Sequence, residues 1–283
     1  MIQYQQLEQI AEILILNGTL INCPGLLHGK MGLSVFFFHF ARHTNNNLYE
    51  DYAMELISEI QTQIHNNSPV DYERGISGIG TAVYYLIKNN FIEADDDILN
   101  DFDQRMYRAI LYDSWQDYSL YKGLTGYGRY WMTRLHQRNS AVLAKECLLK
   151  IVQNIKERLT DISDSEKMDV FSLLFELQQI SGLDICYSLM EQYHKWSLQL
   201  LDIWWSLPRL GNSAMNNILQ QYRINRYLNG IQADKVNVIL EQLPDLDMDK
   251  PSANMGILNG YTGEGMMRLT SLNQKNISWL SLL

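Results

Sequence analysis

One seven-residue pattern constrains this chain more than any other feature. It reads Lys122-Gly-Leu-Thr-Gly-Tyr-Gly128 and runs at once into an apolar segment, Tyr130-Trp-Met-Thr-Arg-Leu135. The pattern recurs as Arg74-Gly-Ile-Ser-Gly-Ile-Gly80 and as Asn259-Gly-Tyr-Thr-Gly-Glu-Gly265, each time ahead of an apolar run. A first copy, His28-Gly-Lys-Met-Gly-Leu-Ser34, carries Ser where the others carry the third Gly. The leading glycines fall at 29, 75, 123 and 260, so the steps are 46, 48 and 137 residues. The last step is close to three of the first, as if two copies between had decayed. Glycines at fixed offsets in a repeat of this length imply stacked supersecondary units that bury their faces on one another.

The segments between the glycines alternate in character. Leu33 to Arg42 is apolar almost all round, and a helix apolar on every side belongs to an inner layer. Tyr49 to His65 places Tyr52, Leu56, Ile60 and Ile64 four residues apart with glutamates elsewhere, which marks an amphipathic outer helix. Further inner helices are expected over 79–88, 129–136, 168–179 and 214–227, outer ones over 98–106, 142–159 and 235–243, and 186–201 is helical in pattern. Asp95 to Asp97 are placed to favour a helix N-terminus, and Asp164 to Glu166 can cap the helix that follows them. A first helix is expected from Leu7 to Leu16. No alternating strand pattern is present. About six inner and outer pairs describe an all-α chain whose residues 1–283 close as one α/α toroid domain. An open α-solenoid uses similar pairs, but rarely needs Gly-x-x-Gly before each inner helix. The glycines are expected to allow close backbone approach and positive φ, at Gly126 in particular.

Composition excludes several partners. A net charge of −9 opposes binding to nucleic acid or an anionic membrane, which both select basic patches. Three scattered cysteines, Cys23, Cys147 and Cys186, suit a reduced, cytoplasmic protein better than a disulfide scaffold. The first residues lack a basic n-region and cleavage site, and no apolar run approaches membrane-spanning length.

Taken together, His28-Gly29-x-x-Gly32, Gly75-x-x-Gly78-x-Gly80, Gly123-x-x-Gly126-x-Gly128 and Gly260-x-x-Gly263-x-Gly265 resemble the repeated inner-helix signature of the lanthionine synthetase C-like (LanC-like) family. The resemblance extends over nearly the whole chain and is weakest in the middle third. It implies an α/α toroid and a role in ribosomal-peptide modification. In that family's enzymes a zinc ion held by two Cys and one His activates a peptide thiolate, which adds to a dehydrated Ser or Thr. The chain departs from the family at the metal. Trp204-Trp205-Ser206-Leu207 stands near the family's Trp-Cys-Tyr-Gly-like motif, and Leu258-Asn259-Gly260 replaces Cys-His-Gly or matches the closing repeat. Zinc catalysis needs three protein ligands around an open position, so the expected cofactor set is empty, with the family's zinc lost.

In such a toroid the motif loops line one mouth. The residues before each leading Gly are His28, Arg74, Lys122 and Asn259, with Asp71, Glu73, Tyr121, Tyr261 and Glu264 as neighbours on the same rim. This mixed polar and aromatic lining suits an extended peptide or a sugar. The first functional expectation is a zinc-free, peptide-binding accessory protein, a pseudoenzyme partnered by a precursor peptide or a maturation enzyme. A second is a carbohydrate-active enzyme using two of Asp71, Glu73 and Glu264. A third is metal-dependent cyclisation with ligands drawn from Cys23, His28 and Asp71. Each rim residue also has a purely structural reading as a helix cap or a solvated charge, and Trp204-Trp205 reads as core as readily as a binding platform.

Overall fold

The computed structural model describes residues 2–95, 97–113, 117–137, 139–180, 254–273 and 276–283, together with single positions between 181 and 253. The segments expected over 186–201, 214–227 and 235–243, the loop 244–251 and Trp204 to Gly211 lie outside the described residues. Among those described, every regular element is helical: α1 (Ile2–Gly18), α2 (Lys30–Thr44), α3 (Asn47–Gln63), α4 (Ile76–Lys88), α5 (Asn100–Tyr112), α6 (Leu124–Arg134), α7 (Ala141–Glu157), α8 (Asp164–Leu177) and α9 (Tyr261–Leu272), then a 3₁₀ turn, Ser278–Leu282. None of the described helices is long and apolar enough to cross a membrane.

The glycine pattern sits differently from the sequence expectation. The leading Gly is the N-cap of α2, α4, α6 and α9, and the later motif positions already lie inside the helix. Positive φ is absent at Gly126: among the described non-glycine residues only Asn45, Asn90 and Asn259 take it, and Gly126 is helical. Crowding is what excludes a side chain. A Cβ on Gly32, Gly78, Gly126 or Gly263 would meet the carbonyl oxygen six residues earlier at 2.4, 2.0, 2.3 or 2.2 Å. The loop before each helix therefore curls back across its first turn. The same curl appears in four matched hydrogen bonds, Lys30 N–H to Cys23 O, Ile76 to Pro69, Leu124 to Asp117 and Tyr261 to Asn254, at 2.9–3.1 Å.

The third glycine works against a neighbouring helix. A Cβ on Gly80 would lie 2.5 Å from the ring of Tyr130 on α6, one on Gly128 2.6 Å from Leu173 on α8, and one on Gly265 2.5 Å from the ring of Phe36 on α2. Inner helices thus pack in the order α9, α2, α4, α6, α8, with α3, α5 and α7 outside their partners. The first helix, α1, packs on the last, α9, where Arg268 Nε donates to Gln6 Oε1 at 3.3 Å.

Two apolar clusters follow this order. One joins α1, α2, α3, α9 and the C-terminal turn around Phe36, Phe37, Phe38 and Trp279. The other joins α5 to α8 around Tyr130, Trp131, Leu148 and Leu173, and Phe102 touches both. Phe36, Phe37 and Phe38 are essentially inaccessible, as an inner helix requires. The Asp95–Asp97 cluster does not begin α5. The helix starts at Asn100 and its first-turn carboxylates are Asp101 and Asp103, because Asp95 and Asp97 close turns with Ile98 and Asn100 instead. The α8 cap is Ser163, one residue earlier than expected, with its N–H donating to Glu166 Oε2 at 3.0 Å.

Candidate functional site at the motif loops

The four motif loops are joined edge to edge through their backbones. Ile257 N–H donates to Leu27 O at 3.0 Å, Leu27 N–H to Glu73 O at 3.1 Å, and Tyr72 and Glu73 N–H both to Tyr121 O at 3.0 Å. Each acceptor stands two residues before its leading Gly. The approach is close enough that a Cβ on Gly25 would fall 2.3 Å from Arg74 Cα, and one on Gly256 2.3 Å from Leu27 O. These two glycines, four residues before their leading Gly, are a fourth phased position that the sequence reading passed over. Beneath the loops, Leu26, Tyr72, Leu120 and Ile257 form a matching row of buried residues.

The series continues at α8, which lacks the glycines. Leu120 N–H donates to Asp169 Oδ2 at 2.8 Å and Tyr118 N–H to Glu166 Oε1 at 2.7 Å. The Asp169 carboxylate therefore receives the Leu120 N–H, three residues before its leading Gly like those of Tyr72 and Ile257, which a further loop's carbonyl would have taken. Burial alone pushes the Glu166 carboxyl up, but hydrogen bonds from Ser163 and from Tyr118 N–H outweigh it and hold the group below the usual range.

Backbone bonding leaves the side chains of the rim available. Glu73, buried, lies between two nitrogen groups: the His28 imidazole Nε2 at 3.3 Å from the loop behind it and the Arg74 guanidinium Nε at 3.2 Å from its own loop. Asp71 Oδ1 accepts from Arg74 N–H at 2.7 Å, which fixes the turn that presents Arg74. Ser119 Oγ does the same for Lys122 N–H at 3.3 Å. Arg74, Lys122 and Asn259 are exposed, and His28, Asp71 and Tyr121 are half-buried. Asn259 alone of the four residues before a leading Gly is left-handed, with φ 59°.

Two expected rim residues sit elsewhere. Tyr261 is the first residue of α9 and is buried in the core, because the helix begins immediately after Gly260. Glu264 lies one turn on and is held by Arg268 Nη1 at 2.7 Å, so it is tied to its own helix. Of the three carboxylates considered for glycoside chemistry, only Asp71 and Glu73 share a loop, and both are engaged with Arg74. The sequence reading also missed Lys30, a buried lysine at the first turn of α2 that pairs with Glu59 of α3. Its signal was weak, since a lysine beside a helix start reads as solvated.

Among the described residues, no group of three or more His, Cys, Asp or Glu is arranged to hold a metal ion. Cys23, His28 and Asp71 do not form one, and burial raises the Cys23 thiol above its ordinary range. Leu258 and Asn259, the two residues before Gly260, supply neither thiolate nor imidazole. Burial also pushes Cys147 to about 12 and Cys186 to about 11, which suits packing and not ligation.

A scan against protein-family models gives no match to this chain, and a search of curated proteins gives no significant match.

Proposed function

We propose that the chain is a LanC-like α/α toroid that has given up zinc chemistry and uses its motif-loop rim to bind a peptide in the cytoplasm, as an accessory protein in ribosomal-peptide modification. The observation that carries this reading is the loop ladder. Four motif loops donate in one direction, from 254–260 to 23–29 to 69–75 to 117–123, and their inner helices follow the same order. The last inner helix packs beside the first while α1 supplies its outer partner. That arrangement supports closure of the ring.

The rim suits a peptide. Its loops display a clasped carboxylate, exposed cations and the half-buried Tyr121 along one edge. A polar surface with donors and acceptors at repeat spacing matches an extended backbone that has its own donors and acceptors at regular intervals. An array of synthetic twelve-residue peptides tests the reading. The wild-type protein retains a subset of extended polar and aromatic sequences. Lys122→Ala and Arg74→Ala reduce that retention with thermal midpoints unchanged. Retention of no peptide, or retention indifferent to both substitutions, rejects the rim as the site. A second assay incubates the protein and zinc with a model peptide carrying one dehydroalanine and one cysteine. The free thiol should persist, and its protein-dependent loss would restore the cyclase reading.

A further inference from the structure

On the flank of the helical array a cavity of about 390 Å³ opens between α3 and α5 with α4 as its floor. Ile57 and Ile60 of α3, Ile79 and Val83 of α4 and Phe102 of α5 line it. Met54 and Ile98 stand at its lips, 44% and 48% exposed, an unusual placement for apolar side chains facing one opening.

The charges around this cavity are sorted by end. Phe102 lies level with Gly80, since a Cβ there would approach its ring at 3.2 Å, and Met106 and Ala109 share a cluster with Ile76. The helices α4 and α5 are therefore antiparallel. Arg105 and Arg108 consequently lie at the Ile76 end, next to His65, while Asp101 and Glu93 lie at the Val83 end. Arg105 is paired with Asp113 at 2.9 Å. Arg108 is exposed and has no ion-pair partner among the described residues. The cavity is thus an apolar trough with a cationic end and an anionic end.

We propose that this trough binds a short apolar peptide with both termini free, its carboxylate at Arg108 and His65 and its ammonium at Glu93 and Asp101. Size and charge together select this occupant. A fatty acid satisfies only the cationic end and an alkylammonium only the other. A helix about 10–12 Å across exceeds a trough of this volume. From Asp101 to Arg108 the helix rises about 10 Å, which an extended peptide of three to four residues spans at about 3.3 Å each. The proposal does not rest on the rim reading, because the two sites share none of the residues named here.

The probe is Leu-Leu-Leu with free termini, followed by titration calorimetry against the whole chain. Saturable one-to-one binding is expected. A charge-assisted contact contributes more than about a factor of ten in affinity. Acetylating the amine, amidating the carboxylate, Arg108→Glu or Asp101→Lys should therefore each weaken binding by about tenfold or more. Val83→Trp, which fills the floor, should abolish it, and the exposed Arg108 and Asp101 variants keep the test valid if the filled variant does not fold. Absence of binding at millimolar peptide overturns the proposal. So does equal binding of the capped peptides, or binding unaffected by Arg108→Glu and Asp101→Lys.

Discussion

Gly126→Ala separates two accounts of the repeated glycines by sign. In a helix interior, Ala is more favourable than Gly by about 1 kcal/mol, so intrinsic propensity predicts a more stable protein. Crowding predicts the reverse. The added Cβ would lie 2.3 Å from Leu120 O and 2.8 Å from Tyr72 Cβ. Neither neighbour can retreat alone. Leu120 is tied to Asp169 and Tyr72 to Tyr121 by hydrogen bonds of 2.8 and 3.0 Å. Overpacking a site of this kind costs about 1–3 kcal/mol, and broken loop contacts place Gly126→Ala at the upper end. The expected net loss is roughly 2 kcal/mol after the propensity gain. Gly128→Ala supplies the comparison, because the three atoms nearest its Cβ are the methyls and Cγ of one side chain, Leu173, at 2.6, 2.9 and 3.3 Å, with no backbone among them. Urea titration followed by helical circular dichroism should give a lower midpoint for Gly126→Ala than for Gly128→Ala, and lower than wild type for the first. A midpoint for Gly126→Ala at or above wild type refutes the crowding argument.

Burial, reinforced by Arg42, lowers His39 to about 4. The unfolded imidazole protonates near 6.5, so the stability linked to neutral His39 is complete above that value and is lost as pH falls towards 4. The loss amounts to up to about 3 kcal/mol. His39→Gln should flatten the decline of the urea midpoint between pH 7 and 4.5, and an unchanged slope removes His39 as its source. Arg134, buried, pairs with Asp103 at 2.8 Å while Tyr130 Oη donates to the same carboxylate at 2.6 Å. Arg134→Met should cost about 3–5 kcal/mol by stranding a charge, and Arg134→Met with Asp103→Leu should recover most of it; equal losses in the single and double variants contradict this. Cys147 and Cys186 should resist iodoacetamide at pH 8 until the protein unfolds, which mass spectrometry of native and denatured samples checks, and rapid native labelling of either opposes their placement.

The sequence disclosed the helical class and the inner-outer alternation because both are periodic. Leu56 and Ile60 fall on one face of α3, and Phe36 to Phe38 leave α2 no polar side. Helix starts were set three to five residues late at α2, α4 and α6, because glycine was read as a turn residue and here it occupies helical turns under an overlying loop. What repeated was legible as position: His28, Arg74, Lys122 and Asn259 stand before glycines that cap helices. Tyr261 and Glu264 were misplaced for the same reason as the helix starts. What had no periodic signature stayed hidden. The Lys30–Glu59 pair and the use of Asp169 in place of a loop carbonyl are single side-chain events that depend on tertiary proximity.

Asp169 and Glu166 also show what the ladder demands. Each loop offers N–H groups to the next, and a buried donor left without an acceptor costs about 1–3 kcal/mol. Where α8 has no glycine loop to bring a carbonyl close, the Asp169 carboxylate meets the requirement at Leu120 N–H, and Glu166 one turn earlier holds the start of the same loop at Tyr118 N–H. The demand is for an acceptor at a position, and the side chain before the leading Gly does not enter it. His28, Arg74, Lys122 and Asn259 can therefore differ in charge and size without disturbing the bonds between loops. Leu258 and Asn259 set the chemistry offered before Gly260 and leave Ile257 N–H bonded to Leu27 O.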